Sequence, residues 1–268
     1  MKQLLQINVV VFVLVALASV PIAEHLEDGL QAYAAGDFEK ACQLWRIDAE
    51  KGDAIAQNNL GTMYANGQGV EQNYKVAVKW YRMAAEQGVA DAQNNLGVMY
   101  SQVRDVPKNY KKAVRWYRKA AEQGHASAQN NLGFMLENGQ GVEQSYKHAA
   151  RWYRMAAEQG NAVAQCNLGN MYANGQGVGQ DNTQAVRWYR MAAEQGDADA
   201  QNNLGNMYFE GRGVPQSYED AYAYWVEAEE NGAAIARDNI EIAQRQMNLN
   251  QIKNGQQVAR QIWSKPGN

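Results

Sequence analysis

Residues 54–89 read AIAQNNLGTMYANGQGVEQNYKVAVKWYRMAAEQGV, and the same phrase returns four more times at a step of 36. Leu60-Gly61 recurs as Leu96-Gly97, Leu132-Gly133, Leu168-Gly169 and Leu204-Gly205. The glutamine ahead of it keeps step as Gln57, Gln93, Gln129, Gln165 and Gln201. Trp80-Tyr81 recurs as Trp116-Tyr117, Trp152-Tyr153 and Trp188-Tyr189, then inverts to Tyr224-Trp225. A period in the thirties held over five copies is the signature of a solenoid, in which each unit buries its apolar face only against its neighbours.

Each unit divides into two helices, A and B. Gln57, Leu60, Gly61 and Tyr64 stand at i, i+3, i+4 and i+7, which is one face of a helix over 54–66. A glycine inside that stripe costs about 1 kcal/mol of helix propensity. Its recurrence predicts close approach of a bulky Trp or Tyr from helix B. Gly67 ends helix A in the left-handed conformation. Helix B then starts at Asn73, Asn109, Ser145, Asp181 or Ser217. All five can accept a hydrogen bond from the free N–H groups of the first turn. Ala77, Trp80, Tyr81 and Ala84 form the expected buried stripe of helix B, and Gly88 stops it.

The expected organisation is a signal peptide over 1–23, cut after residue 18 or 23, and a degenerate N-terminal helix pair over 24–53. Repeats follow at 54–89, 90–125, 126–161, 162–197 and 198–233, then capping helices over 234–263 and a frayed tail over 264–268. Degenerate ends are what a stack needs to close its open faces. At the N-terminus Ala41 and Trp45 take the Ala and Tyr positions of helix B. At the C-terminus Ile252, Val258, Ala259 and Ile262 are expected to cover the last open face.

The signal peptide rests on Lys2, the apolar run from Val9 to Ala18 and the small residues after it. That run is shorter than the roughly 20 residues that span a bilayer. The expected location is therefore periplasmic or secreted, with no lasting membrane insertion once the signal is removed; an uncleaved anchor is the alternative. A formal charge of −3 gives no electrostatic reason for a nucleic-acid partner. Cys42 and Cys166, the two cysteines, lie more than three periods apart and are expected as partly buried free thiols, with an intermolecular bridge as the alternative.

The helix A phrase Ala-Gln-Asn-Asn-Leu-Gly-x-Met-Tyr, the Asn-Gly-x-Gly-Val loop and the helix B phrase Tyr-x-x-Ala-x-x-Trp-Tyr-x-x-Ala-Ala-Glu-x-Gly together resemble the Sel-one-like repeat (SLR) family, a relative of the tetratricopeptide repeat. The resemblance covers five units over residues 54–232. It implies an all-α, right-handed α-solenoid of antiparallel helix pairs. It also implies a role in protein–protein interaction, often as a bacterial envelope adaptor or a factor that meets a host. A cysteine-rich branch of the family has a disulfide across each repeat and is linked to β-lactam binding or hydrolysis; this chain lacks those paired cysteines. Two departures stand out. Val103 and Asp105 occupy loop positions where the other units have glycine, which requires another backbone path because φ > 0 is costly for Val. Cys166 replaces the first Asn of the Asn-Asn pair.

Residues that bring chemistry are scarce. His25, His125 and His148 stand in different units without a ligand-type spacing, and no Gly-x-Ser-x-Gly or phosphate loop occurs. No catalytic residue, metal site or cofactor is expected. Arg82, Arg118, Arg154 and Arg190 each precede a Glu by four residues, the spacing of exposed i,i+4 pairs. The expected binding surface is the inner, concave side of helix A. It comprises Asn58, Thr62 and Ala65; Asn94, Val98 and Ser101; Asn130, Phe134 and Glu137; Cys166, Asn170 and Ala173; and Asn202, Asn206 and Phe209. The second position of each set varies most, and Phe134 and Phe209 are the expected anchors. The leading expectation is a monomeric exported scaffold that holds a protein partner. The alternatives are a secreted hydrolase of peptidoglycan or β-lactams and a periplasmic regulator of a membrane sensor.

Overall fold

The computed structural model describes residues 25–103 and 105–263. The expected signal peptide and the tail from residue 264 lie outside the described residues. Within them all regular structure is α-helical. The residues fall into two compact units, one up to Ala128 together with Gln140–Glu143, the other comprising Gln129–Gly139 and everything from Gln144 onward.

The first unit holds α1 (Leu26–Ala34), α2 (Phe38–Glu50), α3 (Ala54–Asn66), α4 (Tyr74–Glu86), α5 (Ala90–Gln102) and α6 (Tyr110–Glu122). The second holds most of α7 (Ala126–Asn138), then α8 (Tyr146–Glu158), α9 (Ala162–Asn174), α10 (Asn182–Ala193), α11 (Ala198–Glu210), α12 (Tyr218–Glu230), α13 (Ile235–Gln246) and α14 (Leu249–Trp263). From α1 to α6, and again from α8 to α13, each helix packs on the next along the chain. This is an all-α solenoid of helix pairs.

Local chemistry sets the helix ends. The side chains of Asn73, Asn109, Ser145, Asp181 and Ser217 each accept a backbone N–H of the first turn of the helix B that follows. Asp53, Asn161 and Asp197 do the same for α3, α9 and α11, whereas Val89 gives α5 no such bond. Gly67, Gly175 and Gly211 close helix A in the left-handed conformation. At the matching place Val103 is extended, with φ −75° and ψ 125°. The loop still rejoins the common path, because the Asn109 N–H reaches the Tyr100 carbonyl as the Asn73 N–H reaches that of Tyr64.

The helix A glycine is where helix B comes closest. A Cβ on Gly61 would lie 2.7 Å from the Tyr81 ring, and Gly97, Gly133 and Gly169 meet Tyr117, Tyr153 and Tyr189 in the same way. Gly205 meets Trp225, so the inverted pair Tyr224-Trp225 keeps an aromatic in the slot. These tyrosines are fully buried or nearly so. Trp80, Trp116 and Trp152 are only half-buried. They stand about 100° around the helix from the tyrosine, at its flank, where Lys119 Nζ lies 4.8 Å from the Trp116 ring.

Polar ladders lock each helix A to its neighbours. Gln57 donates to the Ala49 carbonyl at 3.1 Å and accepts from Gln87 at 2.8 Å. Gln93, Gln165 and Gln201 repeat this with Ala85 and Gln123, Ala157 and Gln195, and Ala193 and Asn231. A buried amide is tolerated because its groups are bonded. Of the arginines expected to pair with glutamate, Arg82, Arg154 and Arg190 reach the next helix A at Tyr100, Tyr172 and Tyr208, as Arg46 reaches Tyr64; Arg118 has Leu136 at that register.

The C-terminal end breaks the pattern for a visible reason. α13 continues the helix A series, since Asn239 donates to Asn202 as Asn203 does to the preceding helix A. Yet Glu241 stands at its glycine position, so no helix B aromatic can seat there. α14 packs on α12 instead, where Gly255 lets it approach the Tyr222 ring. Ile252 joins this core, and Val258 and Ala259 are half-buried; the Ile262 side chain lies outside the described residues.

Candidate functional site

The expected surface on helix A is built from two kinds of position, and the structure separates them. The first, at the Asn pairs, is internal. Asn95 donates to Asn58 at 3.3 Å, Asn167 to Asn130 at 3.0 Å and Asn239 to Asn202 at 2.8 Å. The second Asn of one helix A thus bonds the first Asn of the helix A before it. Asn58 and Asn202 are buried by this stacking rather than open to a partner, Asn94 is also buried, and Asn130 is half-buried. Cys166 sits in the same row and accepts weakly from Asn203. Burial pushes its thiol pKa up, and nearby Asp197 and Asp199 push it further. Cys42 is likewise free and buried.

The second kind of position serves the helix B aromatic. Each buried hydroxyl or indole N–H needs an acceptor. Thr62 donates to the Asn58 carbonyl, which leaves its oxygen to accept from the Tyr81 hydroxyl at 3.0 Å. Asn170 accepts from Tyr189 at 2.7 Å, and Asn206 from Trp225 at 3.1 Å. Val98 and Phe134 hold the same register but cannot accept. There the residue one turn later takes over: Ser101 for Tyr117 at 2.8 Å and Glu137 for Tyr153 at 2.6 Å. Much of the variability at Thr62, Val98, Phe134, Asn170 and Asn206 is therefore the choice of which turn supplies an internal acceptor. Thr62, only 1% exposed, belongs wholly to the core.

Moving the acceptor frees the register position for the surface. Phe134 is 47% exposed. Ile242 holds the same register on α13, three units on, and is 46% exposed. Within the second unit this row runs Phe134, Asn170, Asn206, Ile242, with the two asparagines half-exposed between apolar ends. Ile242 escapes a reading of the sequence because the unit around it lacks the Leu-Gly and Trp-Tyr markers, although the step of 36 from Asn206 leads to it. Phe209 is no free anchor: its ring packs against Tyr218 at 5.2 Å and Trp225 at 5.4 Å. Val98 is half-buried.

Among the described residues no three His, Cys, Asp or Glu side chains gather as a metal-holding group. His125 serves the fold, since its Nδ1 accepts the Ala128 N–H and leaves Nε2–H to donate to Asp91 at 3.0 Å. No described helix is long and apolar enough to cross a membrane.

Comparison with known proteins places this geometry among relatives. A model of the Sel1 repeat matches residues 54–89, 90–125, 126–161, 162–197 and 198–232. The chain is similar to the crystal structure of a Sel1 repeat protein from Oxalobacter formigenes, at 35% identity over 91% of this chain and 99% of that one, with a TM-score of 0.79. It is also similar to c5321, described as a protective antigen present in uropathogenic Escherichia coli strains displaying an SLR fold. That match has 31% identity and a TM-score of 0.59 over 88% of this chain, and spans 60% of that protein. The immunity protein PA5088 from Pseudomonas aeruginosa shares the fold alone, at 20% identity over 81% of this chain and 85% of that one, with a TM-score of 0.51. A search of curated proteins found no match.

Proposed function

Because the chain belongs to the Sel1 repeat family, we propose that it is an exported scaffold that holds a protein partner on the outward row of its A helices, with Phe134 as the anchor. The carrying observation is the exposure of Phe134. A phenylalanine at this register forces the internal acceptor onto Glu137, so it has no part in satisfying Tyr153. A large aromatic that stays exposed on a fixed helical frame is the side chain an interface uses as a hot spot. Ile242 supplies a second apolar contact in the same row. Export to the periplasm or beyond rests on the apolar run from Val9 to Ala18. The likeness to a chain described as a protective antigen supports the same direction.

The test is a photo-crosslinking amino acid placed at 134, with a second at exposed Met191 on helix B as reference, in cells expressing the tagged full chain. A discrete adduct from 134 and none from 191, lost with Ile242→Ala, supports the reading. Equal or absent adducts from both positions sink it. N-terminal sequencing of the protein recovered outside the cytoplasm tests export; an intact Met1 there contradicts signal removal.

A further inference from the structure

Residues 90–125 carry seven Lys and Arg against three Asp and Glu, in a chain whose formal charge is −3. The loop of this unit departs from the repeat at positions that meet in one place. In the regular loops of the first unit the second glycine lies on the backbone of an earlier helix B start: Gly69 on Phe38 and Gly141 on Tyr110, where a Cβ would overlap the peptide. Here that register holds Asp105. Its side chain cannot enter such a contact, and a cavity lies beside it, lined by Gln72, Asn73, Tyr74 and Lys75.

A second cavity of about 320 Å³ shares Lys75 and Asp105 with the first. Val78, Val106 and Pro107 give it apolar walls, and Arg82, Lys108 and Lys112 give it charge. Lys108 stands where Gln72, Gln144, Gln180 and Gln216 each donate to a carbonyl at the end of helix A. Lys112 sits in the first turn of α6, which has no acidic residue, although a helix N-terminus favours negative charge. Its Nζ lies 5.4 Å from the Tyr100 ring, and Arg82 donates to the Tyr100 hydroxyl at 2.7 Å. Among the described residues none of these four cations forms an ion pair. The second unit has the same groove beside Val186 and Val214, with Arg190 in the place of Arg82 and Arg187 beside it, but with Thr183 in the place of Lys75, Gly213 in that of Asp105, and Glu194 on its wall; Gln216 and Asp220 stand at the registers of Lys108 and Lys112. The groove and the arginine at position 82 therefore belong to the repeat, and the added positive charge here is that of Lys75, Lys108 and Lys112, set against the one carboxylate of Asp105.

We propose that this cleft binds an extended acidic segment of the protein partner, its carboxylates on Lys75, Arg82, Lys108 and Lys112 and an apolar side chain between Val78 and Val106. This rests on the partner-holding reading and adds the chemistry of the partner. The cavity admits side chains and a single extended strand, not a helix about 10 Å across. That disfavours the acidic helix α12 of a second copy, which α11, α13 and α14 flank.

The test uses the purified full chain and a fluorescent twelve-residue Glu-rich peptide with one central Leu, beside its Gln-for-Glu counterpart and inorganic polyphosphate. The variant Lys75→Thr, Lys108→Gln, Lys112→Gln installs residues that the chain's own repeats carry at these registers, or near equivalents of them, and circular dichroism checks its fold. A control variant, Lys40→Gln, Lys147→Thr, Lys253→Gln, removes equal charge at exposed sites elsewhere. The expected result is binding of the acidic peptide alone, weakened about tenfold or more by the first variant and by added salt, and unchanged by the control. Equal loss in both variants, no peptide binding, or binding of polyphosphate in preference to the peptide each overturns the proposal. So does a concentration-dependent dimer that the first variant abolishes, which would assign the cleft to a second copy. The crosslink at Phe134 reports separately: an intact adduct with no peptide site defeats the cleft and leaves the scaffold reading standing.

Discussion

The Tyr153 hydroxyl donates to a Glu137 carboxylate oxygen at 2.6 Å, one turn beyond the register at which Tyr81 meets Thr62. Phe134 occupies the register itself and is free to face outward. Burial raises the Tyr153 pKa, and the neighbouring carboxylate raises it further, so the phenol stays a donor. Replacing Glu137 by Ala leaves a buried hydroxyl unpaired, at a cost of about 1–3 kcal/mol. Glu137→Gln keeps an acceptor and should lose much less. The sharper check is Phe134→Asn combined with Glu137→Ala, which copies the pairing of Asn170 with Tyr189. Urea denaturation should show the double variant recovering much of the loss; no recovery would mean that the two turns are not interchangeable.

The glycine of helix A is a packing requirement, not a hinge. A Cβ on Gly133 would lie 2.8 Å from the Tyr153 ring, well inside contact distance. Gly133→Ala gains about 1 kcal/mol of helix propensity but loses about 1–3 kcal/mol to overpacking. A net fall in the denaturation midpoint is expected. In a Tyr153→Ala background the clash is gone, so the same substitution should become neutral or stabilising. At α13 the same register is already Glu241, and Glu241→Ala should change little. A loss at 133 that persists without the Tyr153 ring would point to backbone strain instead.

Buried phenols also predict a response to alkali. Burial lifts the pKa of Tyr81 and Tyr117 well above the usual value near 10, and that of Tyr224 to about 12. The folded state therefore binds these protons more tightly than the unfolded state. Their contribution is fully present below pH 10 and falls as pH rises from there toward the folded pKa. Melting temperature should be flat between about pH 7 and 9 and decline above about 10. Absorbance titration near 295 nm should show these phenols ionising together with unfolding. Ionisation of every tyrosine near pH 10 in the still-folded chain would contradict the burial.

Much of this is legible in the sequence because the repeat tests each position several times. Leu60-Gly61, the stop at Gly67 and the caps at Asn73, Asn109, Ser145, Asp181 and Ser217 state a geometry that local chemistry enforces. What stays hidden depends on contacts between helices 30 or 37 residues apart. Gln87 recurs as visibly as Gln57, but only packing shows that one amide feeds the other. Asn58 looks like surface because polar residues usually are; a second asparagine stacked over it makes it interior. The exchange between register positions 62, 98 and 134 and the next turn needs the hydroxyl on helix B to be seen first. The basic cleft escapes notice because Val103 and Asp105 read as a broken loop, while Lys108 and Lys112 read as ordinary surface charge.

The caps offer the last prediction. Asp53, Asn161 and Asp197 each accept a first-turn N–H of their helix A, the Asp53 bond to Ala56 being 2.7 Å. Val89 holds the same place before α5, with φ −63° and ψ 114°, close to the backbone of Asp53, but its side chain has nothing to offer. Val89→Asp therefore needs no backbone change, supplies the missing acceptor to the third residue of the helix, and places a negative charge at the helix N-terminus. The expected gain is about 1 kcal/mol, offset in part by the lost burial of a half-exposed valine and by the carboxylate of Asp91 two residues on. Val89→Asn carries the acceptor without the charge. If the cap dominates, both variants raise the urea midpoint, and the difference between them, read at low and high salt, isolates the electrostatic share. A fall in both would show that the apolar contact of Val89 outweighs the cap.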